Sequence, residues 1–131
     1  MRALMLVLSE PADPSQDDAY NRWYNEKHLK DVLSLHRAVS AVRYRVAEGI
    51  SFLPTVQDLP QRYVALYELD ANTQTELQEF ADALVGGLES GQVDISPSLN
   101  GNAISAAFLL PAGGPLSASP APTGLAEARA H

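Results

Sequence analysis

The chain has 131 residues, of which 46% are apolar, and a formal net charge of −7 at neutral pH. This length and composition predict one globular domain, and the negative charge, with no lysine or arginine cluster to offset it, argues against nucleic acid and membrane surfaces as partners. The absence of cysteine excludes disulfides, thiol nucleophiles and thiolate metal sites, and it fits a cytoplasmic location.

The first predicted element is a strand at residues 3–9, ALMLVLS, because an uninterrupted apolar run of this length suits a central strand buried on both faces. The run is too short to span a membrane, and no small-residue cleavage site follows it, so we expect a strand rather than a signal peptide. The segment EPADPSQDD then predicts a loop. Ser15 and Asp18 form a possible capping box for a helix over about residues 17–36.

Two further strands are predicted from alternating side chains. Residues 38–46, AVSAVRYRV, would place Val42 and Tyr44 on one face and Arg43 on the other. Residues 62–69, RYVALYEL, alternate in the same way. The long connection between them contains one glycine and two prolines, which interrupt regular structure.

A second helix and a fourth strand complete the pattern. Apolar residues at helical spacing from Leu77 to Leu88 predict a helix, which begins after the cap residue Thr73 and is stopped by Gly91. Residues 103–110, AISAAFLL, predict the last strand.

The element order predicts an α+β fold, namely a ferredoxin-like βαββαβ arrangement with a four-stranded antiparallel sheet. We expect this domain to span residues 1–111 and to be followed by a Pro/Gly/Ala-rich tail at residues 112–131. Two helices would cover only one face of the sheet. Because the other face would leave apolar residues uncovered, we expect it to pack against a second copy in a homodimer with a barrel-like core.

The first predicted helix carries an unusual group of side chains in the stretch YNRWYNEKHLKD. At helical spacing, Tyr20, Tyr24, His28 and Asp31 lie on one stripe, with Trp23 beside it. A second apolar patch lies on the opposite side of the helix, so the pattern does not decide which side meets the sheet. Asp31 could accept a hydrogen bond from His28, fix its tautomer and raise its basicity.

Two interpretations of His28 are open from the residues alone. It could be a packed histidine with a satisfied hydrogen bond, or a general acid/base in an apolar pocket. In the second case Tyr44 or Tyr67 could donate a hydrogen bond to a developing oxyanion. Arg43 could pair with Glu68 across the strands or hold an anionic substrate.

The stretch from Trp23 to Tyr44 resembles the pattern W-Y-x-x-x-H-x-x-D followed by S-A-x-R-Y in the dimeric α+β barrel superfamily, especially its EthD-like branch. The segment DISPSLN before the last strand also fits that branch. The residues that match the pattern are Trp23, Tyr24, His28, Asp31, Leu33, Ser40, Ala41, Arg43 and Tyr44. The resemblance implies a homodimer and a small-molecule site between the first helix and the sheet, with His28 inside it.

Enzymes of that superfamily include dehydratases, isomerases, cyclases and monooxygenases that use no cofactor. We therefore expect a lyase or isomerase of the dehydratase, isomerase or cyclase type, acting on an enolisable cyclic, polyketide-like or aromatic-pathway intermediate. A cofactor-free monooxygenase and a non-catalytic dimeric ligand-binding module are the alternatives. Three dispersed histidines show no metal-ligand spacing, so neither a metal nor another cofactor is expected. The predicted catalytic residues are His28, Asp31 and Tyr44, and the predicted substrate-binding residues are Tyr20, Trp23, Tyr24, Tyr67 and Arg43.

Overall fold

The computed structural model describes residues 2–119, which form a four-stranded antiparallel sheet with two helices on one face. The strands lie side by side in the order β2-β3-β1-β4, and each neighbouring pair is antiparallel. The predicted ferredoxin-like α+β fold is therefore confirmed. The strands are β1 (Ala3–Ser9), β2 (Ala38–Arg45), β3 (Tyr63–Leu69) and β4 (Ser105–Leu109).

The first helix spans residues 17–33 and consists of three parts. An α-helical part at Asp17–Trp23 leads into a π-helical turn at Tyr24–His28, and a second α-helical part follows at Leu29–Leu33. The predicted capping box of Ser15 and Asp18 is wrong. The Asp13 carboxylate instead accepts the backbone N–H of Ser15 at 2.8 Å, so helical winding begins earlier, in a 3-10 turn.

The second helix spans Gln74–Ser90 and begins and ends as its sequence predicts. The hydroxyl of Thr73 accepts the backbone N–H of Glu76 at 3.1 Å, and Gly91 ends the helix in the left-handed region at a φ of 84°. Inside the helix, Gly87 permits a close approach of the following loop, because a Cβ there would lie 2.9 Å from the side chain of Val93. This contact fixes the start of the loop at residues 91–104.

Strand register decides which side chains face the helices. In the antiparallel pairs, Arg43 lies opposite Ala65, whereas Tyr44 lies opposite Val64. Because cross-strand partners share a face, Arg43 and Ala65 point towards the helices and Tyr44 points away from them. The core lies between the helices and the covered face, and its largest fully buried side chains include Tyr20, Tyr67, Phe80 and Leu69.

The connection between β2 and β3, residues 46–62, contains no described helix or strand. Its apolar side chains Ile50, Phe52 and Leu53 are exposed, and the connection lines an open cavity of about 870 Å³. None of the predicted site residues borders this cavity. Residues 110–119 of the chain's end are exposed and have no regular structure, and the part of the predicted tail from residue 120 onward lies outside the described residues. Among the described helices, none has the length and apolarity needed to cross a membrane.

Candidate active site

The π-helical turn brings the rings of the first helix together. Its defining bond runs from the backbone N–H of Leu29 to the carbonyl of Tyr24, five residues earlier. In a regular α-helix, residues five apart are rotated by roughly 140° around the axis, so Trp23 and His28 would not meet. With the wider turn, their ring centroids lie 4.6 Å apart. Single π turns inside α-helices occur frequently at functional sites.

The same turn changes which side chains of the first helix are buried. Tyr20 is buried before the turn, Tyr24 at its first residue and Val32 after it, whereas Asp31 is only partly covered. The extra residue of the turn rotates the second α-helical part, so that both patches seen in the sequence contribute to the core. The predicted stripe continues past the turn, since Asp31 is partly covered and Leu35, which lies on the same stripe, is buried.

His28 lies between two aromatic rings and has one hydrogen-bond partner among the described residues. Its ring stacks at a tilt of 34° on Trp23 and meets the ring of Tyr24 edge-on at 4.8 Å. Its Nδ1 lies 3.3 Å from the backbone carbonyl of Asp94. Because a carbonyl only accepts hydrogen bonds, Nδ1 must carry the proton in this contact, which leaves the lone pair on Nε2 to act as a base.

Asp31 is linked to His28 by hydrogen bonds through the loop rather than by a hydrogen bond of its own. Its Oδ2 accepts the backbone N–H of Asp94 at 3.1 Å and the Lys27 ammonium at 3.0 Å. The predicted direct hydrogen bond between Asp31 and His28 is therefore wrong. Asp31 holds the loop residue whose carbonyl accepts from His28, so its contribution is to position that carbonyl.

The pKa values of His28 and Asp31 are both lowered, which favours a neutral imidazole beside a charged carboxylate. Burial lowers the pKa of His28 and outweighs the opposing effects of the Asp94 carbonyl and the Asp31 charge. For Asp31, burial works to raise the pKa, but the Asp94 N–H and Lys27 together lower it. His28 is thus favoured in its neutral form, which is the form that can accept a proton.

Arg43 on β2 lies against the aromatic cluster, which consists of the rings of Tyr20, Trp23, Tyr24, His28 and Tyr63. Its guanidinium carbon is 4.3 Å from the ring centroid of Tyr24 and lies between 5.2 and 5.3 Å from those of Tyr63 and Tyr20, a cation–π arrangement. The predicted pairing of Arg43 with Glu68 is wrong, since Glu68 lies on the other face of the sheet and pairs with Arg2 at 2.9 Å.

Of the four tyrosines predicted for the site, three are buried beneath the helices and Tyr44 is exposed. The Tyr20 hydroxyl is 2.6 Å from Ser9 Oγ, and the Tyr67 hydroxyl is 3.5 Å from that of Tyr24. Burial raises the pKa of Tyr20, Tyr24 and Tyr67, so all three keep their protons at neutral pH. Tyr44 lies on the uncovered face with 57% of its surface exposed, and the expectation that it approaches His28 of the same chain is wrong.

Sequence reasoning missed several residues of the cluster, among them Tyr63, whose ring lies beside Arg43. The side-chain oxygens of Asn21 and Asn25 accept from Arg43 at 3.0 and 2.8 Å, and Asp94 supplies the carbonyl for His28. The two asparagines are four residues apart on the first helix, and this spacing predicts that their side chains lie on the same side of the helix. A backbone carbonyl leaves no signal in the sequence.

Comparisons with known proteins bear on the fold. No protein-family model matches the chain, and no curated protein matches its sequence significantly. Among solved structures, the chain is similar to a monooxygenase from the gene ActVA-Orf6 of Streptomyces coelicolor in complex with the ligand nanaomycin D. The two are 14% identical, with a TM-score of 0.50 over 89% of this chain and 94% of the other. This similarity shows a shared fold.

Proposed function

We propose that the chain is a cofactor-independent monooxygenase in which His28 is the general base for a phenolic or enolisable aromatic substrate. The proposal rests on the protonation of His28 and on its hydrogen bonding. Burial lowers its pKa, the Asp94 carbonyl holds the proton on Nδ1, and Nε2 has no partner among the described residues. The monooxygenase with the same fold, described in complex with nanaomycin D, favours oxygenation over the other reactions of this superfamily.

The proposed reaction begins with proton transfer from a substrate hydroxyl to Nε2 of His28. The resulting anion is electron-rich enough to reduce O₂ directly, and a carbon–oxygen bond forms at a ring carbon. Loss of the hydrogen on that carbon and cleavage of the O–O bond give a quinone and water, and the proton on His28 leaves with the water. One phenol and one O₂ thus give one quinone and one water, with no added reductant.

A dehydratase, isomerase or cyclase would use the same first proton transfer but would consume no O₂. A ligand-binding module would keep the aromatic cluster but would not turn the ligand over. The assignment to the EthD-like branch, carried by residues 20–46, belongs to the same proposal.

We also propose that the chain forms a homodimer through its uncovered sheet face. On that face, Val42, Tyr44 and Leu109 are between 39% and 57% exposed. A contiguous apolar surface of this kind is costly in water and is the type of surface that a second copy covers.

The test is oxygen uptake by purified protein that has been treated with a chelator and freed of flavin. Dihydroxynaphthalenes are the first substrates to test, and formation of the quinone product is measured by its absorbance. We expect one O₂ per quinone and a loss of about 100-fold or more in kcat for His28→Gln, since general base catalysis contributes on this scale. His36→Gln replaces an exposed histidine nearby and should retain activity. Turnover without O₂ uptake would point to an isomerase or lyase, and full activity in His28→Gln would reject His28 as the base.

A further inference from the structure

We infer that Trp23 and Arg43 bind oxygen atoms of the ligand and that the ligand is held as an anion, a phenolate or enolate. This inference rests on the proposed function, because it concerns the same aromatic cluster. It assigns the oxyanion-binding role, which the sequence had given to Tyr44 or Tyr67, to two N–H donors beside His28.

The first observation is that two buried N–H donors of this cluster lack an acceptor. Among the described residues, three buried side-chain atoms have no hydrogen-bond partner, and two of them are Trp23 Nε1 and Arg43 Nε. The third, Gln61 Oε1, belongs to a side chain that reaches Ser105 on the uncovered face. Buried donors without acceptors destabilise a fold, so their occurrence together in one cluster calls for an explanation, and ligand oxygens would be suitable acceptors.

The second observation is the charge of Arg43. Its described hydrogen bonds go to the neutral amide oxygens of Asn21 and Asn25, and its guanidinium lies against tyrosine rings. Within residues 2–119, Arg43 forms no salt bridge, and it differs from Arg22 and Arg45, which also form none, in being partly buried. Arg43 is therefore a fixed cation whose charge an anionic ligand could compensate.

The two donors belong to side chains that pack around the base. The Trp23 ring stacks on His28, and Arg43 lies over Tyr24, whose ring meets His28 edge-on. When His28 removes a proton from a hydroxyl, negative charge develops on the oxygen, and donors beside the base would stabilise it. The matching ligand is an aromatic compound with an ionisable hydroxyl next to a carbonyl.

Access to the donors requires a modest rearrangement. The two N–H atoms are covered, but Trp23, His28 and Arg43 are each partly exposed as residues. A ligand oxygen would therefore reach the donors after rotation of these partly exposed side chains. Side-chain rotations on this scale are common on binding.

The experiment compares two ligands of nearly equal shape by calorimetry at pH 7. 2-Hydroxy-1,4-naphthoquinone is an anion at this pH, and 2-methoxy-1,4-naphthoquinone is neutral. We expect the anion to bind about 10-fold or more tightly than the ether. Arg43→Gln should weaken binding of the anion by about 10- to 100-fold and change binding of the ether little. Arg62→Gln is the matched control, since Arg62 also lies near Tyr63 but pairs with Asp17, and it should keep the preference for the anion.

The role of the indole N–H can be isolated because Trp23 is the single tryptophan in the chain. Biosynthetic replacement by β-(benzothien-3-yl)alanine substitutes sulfur for N–H and keeps the ring's shape. We expect about a 5- to 10-fold weaker binding of the anion, with unchanged thermal stability or a slight gain.

Three results would overturn the inference. Equal affinity for the two naphthoquinones would reject the anionic ligand, and equal losses in Arg43→Gln and Arg62→Gln would reject the role of Arg43. Unchanged affinity in the sulfur analogue would reject the role of Trp23. Each of these leaves the proposed reaction standing if oxygen uptake still depends on His28, whereas loss of the proposed function would appear as absent turnover even with the anion bound.

Discussion

The two faces of the sheet carry similar residue types but differ in what surrounds them. On the helix-covered face, Tyr67 is fully buried and Ala65 is 2% exposed. On the uncovered face, Val42 and Tyr44 are 44% and 57% exposed. The comparison shows that residue type alone does not assign a role. Arg43 and Tyr44 are neighbours in β2, yet strand alternation puts the cation in the aromatic cluster and the tyrosine on the other side of the sheet.

The first prediction, with the largest effect, places the same charge on each face. Ala65→Glu buries a carboxylate without a partner in the core, so we expect a loss of several kcal/mol and failure to fold. Val42→Glu should leave the fold intact and convert the proposed dimer to a monomer. Circular dichroism reports the first effect and sedimentation equilibrium the second. A wild-type chain that sediments as a monomer would refute the dimer, and a well-folded Ala65→Glu variant would refute the assignment of the core face.

The second prediction concerns the close packing that fixes the loop of Asp94. A Cβ at Gly87 would lie 2.9 Å from Val93, whereas one at Gly86 would meet nothing within 4 Å. Gly87→Ala should therefore lose about 1–3 kcal/mol through overpacking. Gly86→Ala, in the same helix, should gain up to about 1 kcal/mol from helix propensity. Urea unfolding of both variants is the measurement, and equal effects at the two sites would contradict the packing.

The third prediction removes one hydroxyl from each face. Tyr20→Phe leaves Ser9 Oγ without its partner at 2.6 Å in a buried position, and we expect a loss of about 1–2 kcal/mol. The Tyr44 hydroxyl has no hydrogen-bond partner among the described residues, so Tyr44→Phe should stay within about 0.5 kcal/mol. Denaturant midpoints measure both. A loss for Tyr44→Phe as large as that for Tyr20→Phe would contradict the assignment of the buried hydrogen bond to Tyr20.

The fourth prediction uses the lowered pKa of His28. Below a pH of about 6.5, the ordinary histidine value, the unfolded chain binds a proton at this position more readily than the folded chain. His28 therefore lowers stability as the pH falls through this window, and it has no such effect above it. His28→Gln should flatten the stability profile between pH 7 and 5 relative to the wild type. An identical slope in His28→Gln would show that the histidine is not held neutral.

The fifth prediction, with the smallest energetic effect, concerns the tautomer of His28. Nitrogen-15 shifts of the imidazole should report a proton on Nδ1, as the contact with Asp94 requires. Asp31→Asn replaces the carboxylate that accepts from the Asp94 N–H with a weaker, neutral acceptor. The Asp94 carbonyl should then be held less firmly, and part of the His28 population should carry its proton on Nε2. Lys27→Gln removes only the ion pair of Asp31 and serves as its control. A proton on Nε2 in the wild type would contradict the base assignment.

The fold was predictable from the sequence because its signals are local. The period of two in β2 and β3, the caps at Thr73 and Gly91, and the element order need only neighbouring residues, and all recur in the structure. The composition of the aromatic helix likewise drew attention to Trp23 and His28, which do lie in contact.

Tertiary structure decided what those residues do. The π-helical turn rotated the helix after His28, the strand register separated Arg43 from Tyr44, and the loop after the second helix supplied the Asp94 carbonyl. The strand register and the Asp94 contact depend on residues far apart in the chain, and the π-helical turn depends on one backbone hydrogen bond. None of these three features produces a periodic pattern in the sequence. The sequence by itself therefore determined the architecture and the chemical types in the cluster, and packing determined which of them meet.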